Sequence, residues 1–380
     1  MKKGYNESWV QNLFIQSTAR SWSKNNLLTD GQIDQVEATY PESFYRPGIF
    51  VKIGLFLFTI FGGSFFAGFL SLFFFESAGN KTFAILCLIS AVCYYFVLEF
   101  LIKERKLFHS GIDNALLYMA NLAVITFLLV LFEGLEFWQY CLFVLLVNGI
   151  TSLRYADLFT VFITITSVFV LFASFLIKFP IGKSLLPFAI MILSAAVYLL
   201  NKKIESLYYQ ECQKLIKIVV LITFYLGGNY YIVRQGNALL ADLATNNAPE
   251  IPFAIVFYIF TAAIPLFYCL KGLKSKDRIF LVVGLLAVAF SCFTFRYYFD
   301  MLAIEIILCI AGSVLILFSL LIIHYLKTPR FGISDDVSEK RKLANLEALL
   351  IANQFGQAPE ADSVKFGGGN FGGGGAGNDY

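Results

Sequence analysis

Apolar residues in this chain gather into runs of sixteen or more positions, separated by short polar segments. A hydrocarbon layer about 30 Å thick takes about 20 residues of helix to cross. Backbone groups cannot stay unpaired in it, so each run predicts a membrane-spanning α-helix. Ten runs qualify: 51–75, 83–102, 115–132, 137–153, 158–177, 185–200, 218–233, 251–270, 279–295 and 301–326. Two intervening turns are tight, at Glu133 to Glu136 and Arg154 to Asp157, and a merged or re-entrant pair at either would change the count. The predicted fold class is all-α, a polytopic transmembrane helical bundle of about ten spans over residues 51–326.

The polar flanks have their own pattern. Residues 1–50 predict a small helical head, in which Thr29 and Gln32 can close a capping box. Ile204, Leu207, Tyr208, Cys212 and Leu215 recur at helical spacing, which suits an interfacial amphipathic helix or an extension of the two flanking spans equally well. Residues 327–356 hold an amphipathic helix over 338–354, capped by Ser338, striped by Leu343, Leu346, Leu349 and Leu350 and ended by Gly356. Residues 357–380, FGGGNFGGGGAGNDY included, form a glycine-rich tail whose backbone entropy predicts disorder.

Composition agrees with lipid as the main solvent: the 380 residues are 58% hydrophobic and 14% charged, with mean hydropathy +0.72. The placement of charge carries more than its total. With ten alternating spans, 24 of the 29 Lys and Arg fall on the side of the head, and only Lys81, Lys178, Lys183, Arg234 and Arg296 on the other. By the positive-inside rule both termini are then cytoplasmic and the span count is even. The first 50 residues show no cleavable signal peptide, so the first span is expected to be its own insertion signal. All seven Cys lie in or beside apolar stretches without CxxC spacing and read as small apolar residues.

In the order of its parts the chain resembles a family of uncharacterised bacterial multi-pass membrane proteins, a domain of unknown function. The matching stretches are NLLTDGQIDQVEATY in the head, VKIGLFLFTIFGG opening the first span, and the late RYYFDMLAIEIILCIAGSVLILF; the glycine-rich ending is similar to tails on envelope proteins of Bacteroidetes-like bacteria. The resemblance implies a place in the bacterial inner membrane and supplies no activity or functional residues.

Candidate chemistry is sparse. His109 and His324 have no Cys or carboxylate at ligand spacing, and no phosphate-binding glycine loop, GxSxG elbow or HExxH helix occurs. The reading is therefore not an enzyme, with no catalytic, cofactor-binding or metal residues. Ionisable groups inside spans are functional candidates by default, but local partners account for them: Lys103 for Glu99 at i+4, and Asp157 for Arg154 at i+3. Asn121, Gln139 and Asn148 are expected to join helices, and Gly62, Gly63, Ser64 and Gly68 to let them approach closely. Gly227, Gly228 and Asn229 suit a broken helix of the kind carriers use near substrate, although the second span offers no matching glycine pair. One candidate polar cluster remains, on the outer face: Arg234, Arg296, Asp300 and Glu305, rimmed by Tyr230, Tyr231, Tyr297 and Tyr298. The expected function is a non-enzymatic structural or interaction component of the inner membrane. The alternative is a small-molecule or lipid transporter with five-plus-five inverted halves. Expected partners are membrane lipid, not nucleic acid; the 338–354 stripe packs on the cytoplasmic face of its own bundle or, alternatively, takes a protein partner, and a polar central cavity would favour transport, a filled bundle the structural role.

Overall fold

A computed structural model describes residues 2–24, 27–73, 79–241, 243 and 249–298, with the isolated positions 312, 313, 316, 317, 320 and 324. The described chain is helical, without strands. Two helices, α1 (Glu7–Lys24) and α2 (Asp30–Thr39), form the head. Thr29 caps α2 as its sequence predicts, its backbone N–H donating to Gln32 Oε1 at 2.9 Å. Ten more follow: α3 (Ile49–Leu72), α4 (Asn80–Arg105), α5 (Ile112–Leu131), α6 (Phe137–Tyr155), α7 (Leu158–Leu176), α8 (Pro180–Lys202), α9 (Gln210–Gly228), α10 (Tyr230–Leu240), α11 (Ala254–Ser275) and α12 (Arg278–Tyr298).

Seven of these, α3, α4, α5, α7, α8, α11 and α12, are long and apolar enough to cross a membrane, so this is a multi-pass membrane helix bundle. The eighth candidate is α9 with α10, one apolar stretch bent by 75° after Gly228. Of the other predicted spans, 137–153 corresponds to α6, a 19-residue helix outside the seven because Gln139, Asn148 and Arg154 dilute it. The run 301–326 lies outside the described residues apart from the isolated positions. The two tight turns separate helices rather than merging them: Gly134 at φ +83 precedes the Glu136 cap of α6, and Ala156 at φ +48 ends α6 before Asp157 caps α7.

Loop contacts gather alternate connections at two ends. At the head end Gly4 N donates to Arg154 O at 2.8 Å, Tyr45 N donates to Lys106 O at 2.9 Å, and Lys217 pairs with Asp277. At the far end Asn80 donates to Glu133 at 2.6 Å and Lys178 pairs with Glu136. One core, including Tyr94, Leu98, Leu117 and Tyr155, lies under the head, and another, including Leu221, Tyr225, Ile264 and Val283, among α8, α9, α11 and α12. Packed between them, α7 meets Val220 of α9 through Ile165 and Phe169. No residue of α3 is buried, and its Phe58 and Phe65 are 77% exposed, as only lipid or a partner could tolerate. Among the glycines of α3 only Gly63 serves close approach: a Cβ there would meet Met119 at 2.5 Å, whereas at Gly62 and Gly68 it would meet nothing. Residues 203–206 interrupt the helix after α8, and a 3₁₀ turn (Leu207–Tyr209) leads directly into α9.

Candidate functional site

The connection from α4 to α5 reverses the chain within six residues, which takes left-handed backbone at Lys106 and His109 and φ +102 at Gly111. A side chain at Gly111 would also strike Lys52 O of α3 at 2.2 Å, so two constraints select glycine there. The turn aims its polar groups at one carboxylate. Asp113, in the first turn of α5 and 1% exposed, accepts from His109 N at 2.7 Å, Ser110 N at 2.8 Å, Ser110 Oγ at 3.0 Å and Tyr5 Oη of the head at 2.6 Å. The nearby helix N-terminus favours the charge. Burial, then the Asp113 carboxylate, holds the Tyr5 phenol well above its ordinary pKa, so it remains the donor.

A second buried carboxylate stands alongside. Asp157, 3% exposed, caps α7 by accepting from Thr160 N at 3.0 Å, and takes Asn114 Nδ2 at 2.7 Å and Tyr118 Oη at 3.0 Å from α5. His109 sits between the two acids, its Nδ1 3.3 Å from Asn114 Nδ2 and 3.9 Å from Asp157. Burial pushes its pKa down, against the pull of Asp113 and Asp157 and with the help of Lys52. A neutral ring with Nδ1 as acceptor for Asn114 fits these distances. Asn114 Oδ1, on a residue 7% exposed, has no hydrogen-bond partner among the described residues.

Tyr5, His109, Asn114, Tyr118 and Asp157 form the floor of a cavity of about 710 Å³ at the head end. Val10, Leu13 and Phe14 of α1 roof it, Ile49, Lys52 and Phe56 of α3 and Leu158 and Phe159 of α7 wall it, and Glu211 and Cys212 open α9 into it. Cys212 donates its thiol to Ala156 O at 3.2 Å, and no group of three or more His, Cys, Asp and Glu among the described residues could hold a metal ion. The chemistry offered is hydrogen bonding: an orphaned amide oxygen, a phenol and a neutral imidazole in a largely apolar chamber.

The other end of α9 is the predicted break. Asn229, wholly buried, caps α10 by accepting from Ile232 N at 3.2 Å and donates to Tyr225 Oη at 2.9 Å and Thr294 Oγ1 at 3.0 Å. Pro265 in α11 cannot donate to Thr261 O one turn back; Ser291 Oγ of α12 supplies that bond at 2.6 Å, and Thr261 Oγ1 accepts from Tyr230 N at 2.9 Å. Gly228 brings α9 against α11, where a Cβ would stand 2.6 Å from Ile264 Cδ1. A second cavity, about 240 Å³ and mostly apolar, lies here among Pro187, Ile190, Thr223, Gly227 and Ile232.

The sequence candidates fare unevenly. Arg234 donates to Tyr230 Oη at 2.9 Å and lies 4.9 Å from the Tyr298 ring centroid, and Tyr231 packs edge-on to Tyr297 at 4.9 Å, so the four tyrosines do gather. Arg296 has a buried Nη1 without a hydrogen-bond partner among the described residues. Asp300 and Glu305 lie outside the described residues. Among the described residues, Glu250 brings a carboxylate to this cluster, accepting from Tyr230 at 2.8 Å. Glu99 pairs with Arg154 of α6 at 2.7 Å and accepts from Tyr155, not with Lys103, and Asp157 holds Asn114 rather than Arg154. Asn121 and Asn148 do join α5 to α6 at 3.0 Å, whereas Gln139 closes the α6 cap. Asp113, Asn114, Tyr118 and Tyr5 were not among the candidates; the one available signal was a carboxylate directly ahead of the apolar run at 115.

No family model, curated protein or solved structure matches this chain.

Proposed function

We propose that the protein is a carrier-type membrane protein that binds a small polar solute at the head-end cavity and conducts it along α9. The carrying observation is that one helix lines a cavity at each of its ends. Glu211 and Cys212 face the polar chamber, and Thr223 and Gly227 the apolar one about 17 Å further on at 1.5 Å per residue. Val220 and Leu221, both buried, close the interval. A closed interval between two cavities, next to a broken helix and two proline-bearing neighbours, supports the reading as one state of an alternating-access cycle. The orphaned Asn114 oxygen asks for a solute bearing an N–H or O–H donor. We take the count as ten spans with both termini in the cytoplasm of a bacterial inner membrane, because 24 of 29 Lys and Arg then lie inside.

The test uses the full chain in detergent against panels of amino acids, polyols and nucleosides. One class should raise the melting temperature, exchange across proteoliposomes, and lose both effects in Asn114→Leu. The proposal fails if no class stabilises the protein, or if Asn114→Leu responds like the wild type. A purely structural component, the role the composition first suggests, predicts the former.

A further inference from the structure

Outside the polar chamber, the head and α4 enclose a separate groove of about 480 Å³. Its chemistry runs in one direction. Along one face of α4 stand Phe96, 72% exposed, then Glu99 and Phe100, the latter 55% exposed, then Lys103, a rise of about 10 Å from Phe96 to Lys103. Lys2 and Lys106 close the top beside Arg154. Glu99 is occupied by Arg154, and Lys3 by Glu7. Lys106 lies 5.2 Å over the Trp9 ring, and neither it nor Lys2 nor Lys103 makes an ion pair among the described residues.

We infer that this groove is a binding site for one anionic phospholipid, its phosphate between Lys2, Lys103 and Lys106 and an acyl chain along Phe96 and Phe100. Three ammonium groups without an ion pair at the end of a membrane helix attract an anion. The aromatic pair one to two turns deeper belongs in hydrocarbon, where a soluble anion would have nothing to place. A tryptophan beside the lysines marks headgroup depth. A lipid there would tie the head to α4 at the rim of the bundle, a role independent of any solute.

Native mass spectrometry of the full chain in dodecyl maltoside, titrated with phosphatidylglycerol, phosphatidylcholine or inorganic phosphate, tests this. The expected result is one retained phosphatidylglycerol in preference to phosphatidylcholine, with about fivefold weaker binding for Lys103→Gln or Lys2→Gln alone and roughly the product of two such steps for the Lys103→Gln, Lys106→Gln pair. Unchanged helix content and melting temperature in phosphatidylcholine show the variants folded; should the pair not fold, the single variants decide. Equal retention of the two lipids, an undiminished preference in the folded variants, or displacement by millimolar inorganic phosphate would overturn the lipid assignment.

Discussion

Replacing Asp157 by Ala probes both the fold and the solute site, and its cost follows from what the carboxylate holds. It caps α7 through Thr160 N and receives Asn114 Nδ2 and Tyr118 Oη from α5 while 97% buried. Loss of an N-cap costs about 1 kcal/mol. Two stranded donors would add about 1–3 kcal/mol each in water-soluble cores, but interhelical hydrogen bonds in membranes average nearer 0.6 kcal/mol. Asn114 also keeps His109 Nδ1 at 3.3 Å as a second acceptor. Asp157→Ala should therefore destabilise by about 2–4 kcal/mol, and Asp157→Ser, which caps but cannot reach α5, should recover about 1 kcal/mol. Equilibrium unfolding in mixed dodecyl maltoside and dodecyl sulfate micelles measures both. If Ser is as damaging as Ala, the cap contributes nothing; if Ala costs under about 0.5 kcal/mol, the buried network is not what joins α7 to α5.

Three further outcomes follow from other parts of the structure. Gly111→Ala should cost about 2–3 kcal/mol, from positive φ and a 2.2 Å approach to Lys52 O, whereas Gly62→Ala, with nothing near it, should be neutral or slightly stabilising in the same unfolding assay. Ser291→Ala leaves Thr261 O unpaired behind Pro265 and should cost about 1–2 kcal/mol; no loss would mean the carbonyl finds another donor. His109, faced by Tyr5, Lys52, Asp113 and Asp157, has its folded pKa held below the ordinary 6.5, so the unfolded chain takes the proton first and stability falls as pH drops below about 6.5. His109→Asn, which tolerates φ +47, should flatten that part of the melting-temperature profile, and an unchanged slope would assign the acid sensitivity elsewhere.

Much of the architecture is legible along the chain because the bilayer imposes a length on every span. Apolar runs near 20 residues mark α3, α4, α5, α7, α8, α11 and α12 without reference to any neighbour. Local capping is equally readable at Thr29 and Gln32, and Gly227, Gly228 and Asn229 announce the break because glycine pairs and an amide cap disfavour a continuous helix. What one dimension withholds is rotation and register. Glu99 has Lys103 one turn away on its own helix, yet bonds Arg154, 55 positions along the chain, because α4 and α6 turn those faces toward each other beneath the head. Asp113, Asn114 and Asp157 look like ordinary span-end residues until two helix N-termini and a left-handed turn bring them around one histidine. The sequence by itself determines a helical membrane protein with a polar head and a broken span, since hydropathy and capping are properties of neighbouring residues. The tertiary structure alone decides which polar groups are buried together and where cavities remain, since those depend on how helices far apart in the chain are rotated against one another.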